Sequence, residues 1–411
     1  MSPSADTGSP SAHPRSASEH RGAGEAATRT APVAEPVATA TSLGPWPGAD
    51  PVEAAKVGLG VLLEPHLPGL ASLPARGVGS DAVGRTAAML VEMPVDVQPY
   101  GWRIVDRPGQ DQRRATSALS TDINVLADVV GAGELAPAEY KVHVLGPVSL
   151  AAALHLHYGE RALRDHGARR DIAESLGDGL LAHAQQLRSA VPGAALTLQI
   201  DEPGVAGALA GTIPTASGYR TLRSIPASEL RQAWTDFVAA ARRAGFNQVS
   251  MNLAPESGAA QAVAARTGTA QAGADQSFSV RGAGDDTAAA EATAWRTALG
   301  IALGSGIDAV AVPLHNLDTG HWEQLAEALE SGTGVWAGTV PARPGVALPS
   351  YAALVERIMV PWRSLGLEMA LLPQLRITPS GSLAALSPQE ARQVLERSLE
   401  VAEELSAIRY R

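Results

Sequence analysis

Residues Ala195–Pro203 read A-L-T-L-Q-I-D-E-P. From Ala195 to Ile200 every residue except Gln199 is apolar or strand-favouring, which suits a strand buried on both faces, and the run stops on two carboxylates, Asp201 and Glu202, followed by the helix-stopping Pro203. In a parallel α/β protein, ligands bind beyond the carboxyl ends of the strands, so two acids placed there are candidates for a site. Solvated acids in an ordinary strand-end turn are the plainer account of the same residues.

Outward from this stretch, strand candidates recur. They fall at about 38–41, 95–101, 140–146, 195–201, 247–253, 307–312, 334–340 and Met369–Leu372, the last extending toward Ile377. Helical stretches separate most of them: one opens at Asp50-Pro51, others cover about 114–130, 147–156, 170–189 and 227–244, and Ser387-Pro388-Gln389-Glu390 is a capping box that opens the last. Eight strand candidates alternating with helices predict a (β/α)8 TIM barrel over residues 39–411. A doubly wound open sheet is the rival, but no G-x-G-x-x-G turn follows any strand. His66–Gly77, H-L-P-G-L-A-S-L-P-A-R-G, reads as irregular. Residues 1–38, rich in Ser, Ala, Pro and Gly, predict a disordered tail, and the Ala, Gly, Gln and Ser composition of about 254–286 predicts a long surface insertion.

Composition narrows the function. A hydrophobic content of 45% in 411 residues is ample for a core, but aromatics at 4% leave the packing to Ala, Val and Leu. A net charge of −10 argues against nucleic-acid partners. No uncharged apolar run reaches the roughly 18 residues of a membrane span, and no basic-then-apolar segment opens the chain, so a cytoplasmic protein is expected. The absence of cysteine removes disulfides, thiolate nucleophiles and cysteine-ligated metals.

Four elements share the pattern of one family. Gly146-Pro147-Val148-Ser149, Gln199-Ile200-Asp201-Glu202-Pro203, Thr378-Pro379 before the Ser-Pro-initiated helix, and the opening L-G-P-W-P-G-A-D (residues 43–50) resemble the catalytic barrel of cobalamin-independent methionine synthase. The likeness covers roughly residues 40–410, with Gln-Ile-Asp-Glu-Pro its most specific part, and it is closest to short, single-barrel members. It implies a barrel of the methionine synthase and uroporphyrinogen decarboxylase type and a 5-methyltetrahydrofolate(polyglutamate)–homocysteine S-methyltransferase ancestry.

In that family a zinc ion held by a His-x-Cys pair, a Glu and a late Cys stabilises the homocysteine thiolate. The resemblance puts these ligands in Ser250–Leu253, at about Pro313 and at Gly381, where none of the required residue types stands. The family serine of the opening motif is Pro45, and a Glu that holds the substrate amino group is Trp102. Asp201, aligned with the remaining amino-group ligand, survives. The expectation is therefore a methionine-synthase-like protein with no zinc cofactor and impaired methyl transfer, its site built around Asp201 and Glu202 for a homocysteine-like amino acid or a folate. A non-catalytic binding barrel and a metal-free lyase, the latter needing Arg76, Arg103 and Asp201 to converge, are the alternatives.

Other residues have two readings each. His315, Asp318 and His321 in P-L-H-N-L-D-T-G-H form either a divalent-metal set or a solvated turn with Asp318 capping the next helix. Arg76, Arg103 and Arg376 either clamp an anionic ligand or make routine salt bridges. Trp46, Trp102 and Trp336 either stack on a flat ring such as a pterin or fill the core. His143, inside a strand, reads as a satisfied core residue, and His183, in a charged helix, as a surface one.

Overall fold

The computed structural model describes residues 37–255 and 285–409. The tail up to residue 36 and the bulk of the expected insertion, 256–284, lie outside the described residues. Strands β1 (Thr39–Ala40), β4 (Glu139–Leu145), β5 (Ala195–Asp201), β6 (Gln248–Asn252), β7 (Ala309–Pro313), β8 (Gly334–Val340) and β9 (Leu375–Pro379) form one seven-stranded sheet. Its order is β1-β9-β8-β7-β6-β5-β4, with every pairing parallel. Sequential neighbours joined through helices give the curled α/β arrangement that parallel pairing requires.

The two edges of this sheet, β1 and β4, are both hydrogen-bonded to the segment Leu67–Ser72. Leu67 N donates to Ala40 O at 2.9 Å, Lys141 N donates to Pro68 O at 2.9 Å, and Leu70 N donates to Lys141 O at 2.8 Å. This is the stretch whose Pro and Gly content reads as irregular. An extended segment that contributes the Pro68 carbonyl and uses the N–H groups of Leu67 and Leu70 tolerates a proline, because the missing donor is never called on.

The second expected ring strand is a correction. Residues 95–101 belong instead to an antiparallel hairpin, β2 (Val95–Gln98) and β3 (Gly101–Ile104), which is a separate sheet. The last expected strand is also displaced: Met369–Gln374, containing Pro373, is a 3-10 turn, and pairing with β8 begins at Leu375. Along β9, Leu375 and Ile377 pack into the main core while Arg376 lies on the other face, beside Glu139 and Trp336.

Helices cover the outer face. Helix α5 (His166–Ala190) buries Ile172, Leu176, Leu180, Ala184 and Leu187, a stripe at three- and four-residue spacing, and α7 (Ala227–Ala244) buries Leu230, Trp234, Phe237 and Ala241 in the same way. Each fully buried Leu contributes roughly 1.5–3 kcal/mol. Helix α1 (Pro51–Val61) starts where Asp50 accepts from Val52 N at 2.8 Å, and the final helix, Pro388–Ile408, carries the expected Ser387/Glu390 capping box. Strand β5 is buried on both faces as its composition requires: Leu196, Leu198 and Ile200 pack outward, and Thr197 and Gln199 turn inward. A small separate cluster, Leu43, Leu67, Ala309, Ala311 and Trp336, fills part of the interior. Among the described residues no helix is long and apolar enough to cross a membrane.

Candidate functional site

The inward positions of β4 and β5 are polar over most of their length, which is unusual for a buried interior. Lys141 Nζ donates to Ser42 O at 2.7 Å and to Gln199 Oε1 at 2.6 Å. Gln199 Nε2 donates onward to Leu43 O at 2.9 Å and to Asp201 Oδ1 at 2.7 Å. Asn252, at the end of β6, accepts from Ala254 N through Oδ1 at 3.0 Å and donates through Nδ2 to Asp201 Oδ1 at 2.8 Å. The other oxygen, Asp201 Oδ2, is 2.9 Å from His143 Nδ1. Asp201 and Asn252 stand at the carboxyl ends of β5 and β6, where α/β proteins place their ligands, and His143 reaches Asp201 from two residues before the end of β4.

Burial sets the protonation of this group. It draws Lys141 down to about 7, against a smaller upward pull from Asp201. It also lowers His143, with the hydrogen bond to Asp201 acting in the other direction, so the imidazole is held neutral. Nε2 of that ring is buried and has no hydrogen-bond partner among the described residues. Gly44, at φ +115°, packs over the ring: a Cβ there would lie 2.4 Å from Nε2, 2.5 Å from Cδ2 and 2.6 Å from Cε1. Three nearly equal distances place Gly44 over the face of the imidazole and away from the in-plane lone pair of Nε2. Trp336 closes the interior below, with Lys141 and Arg376 each 5.5 Å from its ring centroid.

Glu202, the other acid of the expected pocket, bonds on the opposite face of β5 from this group. Fully buried, it accepts from Ser149 N at 2.7 Å, Val148 N at 3.2 Å and Trp234 Nε1 at 2.8 Å, and so caps α4 (Pro147–Ala153) from the helix-covered side of the sheet. Burial pushes its carboxyl upward, and the Ser149 and Trp234 bonds oppose that. Gly146 is required beside it, since a Cβ there would sit 2.2 Å from Oε1. Alternation along β5 explains why adjacent acids part company: Asp201 is the last inward residue, and Glu202 follows on the other face.

The remaining candidates separate as well. Arg76 is ion-paired with Asp122 at 2.7 Å, and Asp122 also holds Arg85 at 2.5 Å. Trp102 is buried in β3, its ring against Gly84 of α2 (Ala82–Ala87), and Arg103 beside it has a buried Nε without a partner. Among the described residues no hydrogen bond or ion pair joins Arg76 or Arg103 to Asp201. Arg376 donates to Thr39 Oγ1 at 2.9 Å and pairs with Glu139 at 3.1 Å, at the opposite end of the strands. Trp46 and Trp336 are both buried side chains. His183, read as a surface residue, is buried inside the α5 stripe.

His315, Asp318 and His321 do not gather around a point. Asp318 caps α9 (Thr319–Glu330): its Oδ1 accepts from His321 N at 3.0 Å, while His321 Nδ1 accepts from Asp318 N at 3.2 Å. His315 is exposed, and no three His, Asp or Glu side chains among the described residues are grouped to hold a metal. The positions aligned with the family's zinc ligands do not fit that ion either. Met251 and Leu253 are packed in the core, Asn252 is committed to Asp201 and Ala254, and Pro313 and Gly381 offer no side-chain donor.

The sequence signal that would have found His143 was its register. It precedes Leu145 by two on a strand whose partner residues, Gln199 and Asp201, are the polar inward positions of the next strand.

No family model and no curated protein matches the sequence. Solved structures do match. A B12-independent methionine synthase from Shewanella sp. W3-18-1, in complex with selenomethionine, superposes with a TM-score of 0.54 at 11% identity, covering 91% of this chain and 98% of that one. A putative vitamin-B12-independent methionine synthase from Listeria monocytogenes gives 0.49 at 13% identity over 90% and 98%. A methyltransferase from Methanosarcina mazei gives 0.49 at 11% over 90% and 94%. At 11% identity the first of these establishes likeness of fold: a mixed α/β architecture with a curled parallel sheet, similar to that of a B12-independent methionine synthase.

Proposed function

We propose that this chain is a methionine-synthase-like barrel that binds a small amino-acid-like molecule at the Asp201, Asn252 and His143 group, without zinc-dependent methyl transfer. On this reading the Leu67–Ser72 segment occupies the eighth position of a closed ring of the methionine synthase and uroporphyrinogen decarboxylase type. One observation carries the functional part: Asp201, the carboxylate matched to the family's amino-group ligand, stands at the carboxyl end of β5 with its side chain 16% exposed and three donors around it. The complex of the Shewanella protein with selenomethionine supports an amino acid as the ligand class. The lack of any thiolate or His-x-Cys pair supports the loss of thiol activation by zinc.

Calorimetric titration of the purified protein with L-homocysteine and L-methionine tests the binding half, and an isosteric Asp201→Asn change is expected to abolish or weaken it. Supplying homocysteine, methyl-tetrahydrofolate and zinc tests the other half. Methionine formation at an ordinary enzymatic rate would overturn it.

A further inference from the structure

We propose that His143 is the residue through which this site meets its ligand, Nε2 accepting a hydrogen bond from an amino, hydroxyl or thiol donor of the bound molecule, and that Asp201 acts behind it as a positioning residue. This deepens the preceding reading and rests on it.

The direction of every hydrogen bond in the group is forced from its two ends. Leu43 O is an acceptor only, so Gln199 must present Nε2 to it and to Asp201, which leaves Oε1 for Lys141. Ala254 N is likewise a donor only, so Asn252 presents Oδ1 to it and Nδ2 to Asp201. Two amide donors thus converge on Asp201 Oδ1, and a carboxylate that accepts from them accepts on Oδ2 as well, from His143 Nδ1 at 2.9 Å. With the proton fixed on Nδ1, the neutral ring carries its free lone pair on Nε2. That atom ends the series. It is buried, unpartnered among the described residues, and belongs to a side chain only 6% exposed.

Buried acceptors in native proteins find a donor, and nothing along β4, β5 or β6 offers one here. Gly44 covers the ring face and does not lie along the in-plane lone pair, so the donor that Nε2 lacks is assigned to a bound molecule. Asp201 holds the tautomer that makes this possible, while its own oxygens already take three donors.

The test is 15N NMR of the full chain labelled at histidine, with H143Q serving to assign the signal. Wild type is expected to show Nδ1 protonated and Nε2 bare, and added L-homocysteine, with its amino and thiol donors, is expected to move the Nε2 resonance and leave Nδ1 in place. In D201N the amides of Gln199 and Asn252 still demand an oxygen at the Oδ1 position, so the new NH2 group faces His143 Nδ1 and inverts the tautomer. Homocysteine affinity then falls about tenfold or more, as one buried hydrogen bond to a mismatched donor requires. Tautomer inversion reports the Asp201–His143 bond, and a loss of homocysteine affinity accompanying it in a folded variant is what a structural role alone would not produce. Nε2 found protonated in wild type, or homocysteine binding with Nε2 unmoved, overturns the inference and leaves the binding reading standing. Failure of homocysteine and methionine alike to bind wild type overturns the reading itself, and this inference with it.

Discussion

Lys141 Nζ lies 2.6 Å from Gln199 Oε1, on the inward face of the curled sheet and beside Trp336. Burial draws its pKa from 10.5 to about 7. Between those two values the unfolded chain binds a proton that the folded chain does not, so this residue makes stability rise with pH across that window. Below about 7 both states are charged and the burial penalty is felt in full. Replacing Lys141 with Met removes the titration but strands Gln199 Oε1 and Ser42 O, at a cost of about 1–3 kcal/mol each. Urea denaturation of K141M at neutral pH and near pH 9–10 is expected to show a flatter pH dependence than wild type, with the deficit in stability larger at the alkaline pH. Parallel pH profiles for the two proteins would refute the assignment.

Glu202 is expected to matter for folding rather than binding. Its three donors, from Val148, Ser149 and Trp234, use both carboxylate oxygens. Gln keeps one acceptor and turns an NH2 group against an N–H, so E202Q is expected to cost about 1–3 kcal/mol, and E202A more because a cavity is added. Denaturant midpoints read the loss. Homocysteine affinity of the folded fraction should stay within about twofold of wild type, well under the roughly tenfold step of one lost hydrogen bond. A selective loss of affinity in E202Q with stability intact would return Glu202 to the site.

These residues also show how far the sequence carries. The strand over 195–201 was legible because five of the six residues from Ala195 to Ile200 are apolar or strand-favouring and the terminal acids mark its carboxyl end. The Leu67–Ser72 segment was not, since Pro68 and Gly69 are turn formers by propensity and only the free edges of β1 and β4 give them a reason to extend. The hairpin at 95–104 has the same β-favouring residues as a ring strand, and nothing local distinguishes its antiparallel partner. At the site, Asp201 was legible from position alone. Its separation from Glu202 follows from strand alternation, but the role of His143 depends on which atom of Gln199 faces Lys141, and that is set across three strands.

His183 links acid sensitivity to the helix layer. It is buried on α5, and burial, assisted by the nearby Arg85 charge, lowers its pKa from 6.5 to about 3. Between those values the unfolded chain takes up a proton that the folded chain refuses, so stability contributed here is present near neutrality and is lost as pH falls from 6.5 toward 3. His183 Nδ1 has no partner, so an apolar replacement forfeits no bond at that atom. H183L is expected to match wild type at neutral pH within about 1 kcal/mol and to exceed it at around pH 4. Thermal unfolding across that range checks this, and an acid limb unchanged by the substitution would count against it.

Gly44 is held in place by two separable effects, and a double-mutant cycle can divide them. Its φ of +115° is a region that side chains rarely occupy, and an added Cβ would also collide with the His143 ring at 2.4 Å. Backbone strain of this kind costs about 1–3 kcal/mol whatever stands nearby. The collision adds to it only while the imidazole is present. G44A is therefore expected to destabilise wild type by more than it destabilises the H143A background, where the ring is gone and the φ strain remains. The difference is the coupling between the two positions, expected at about 0.5–3 kcal/mol for residues in direct contact. Guanidinium denaturation of the four proteins measures it. Additive effects would mean that the turn over His143 yields freely, and that Gly44 is required for its backbone alone.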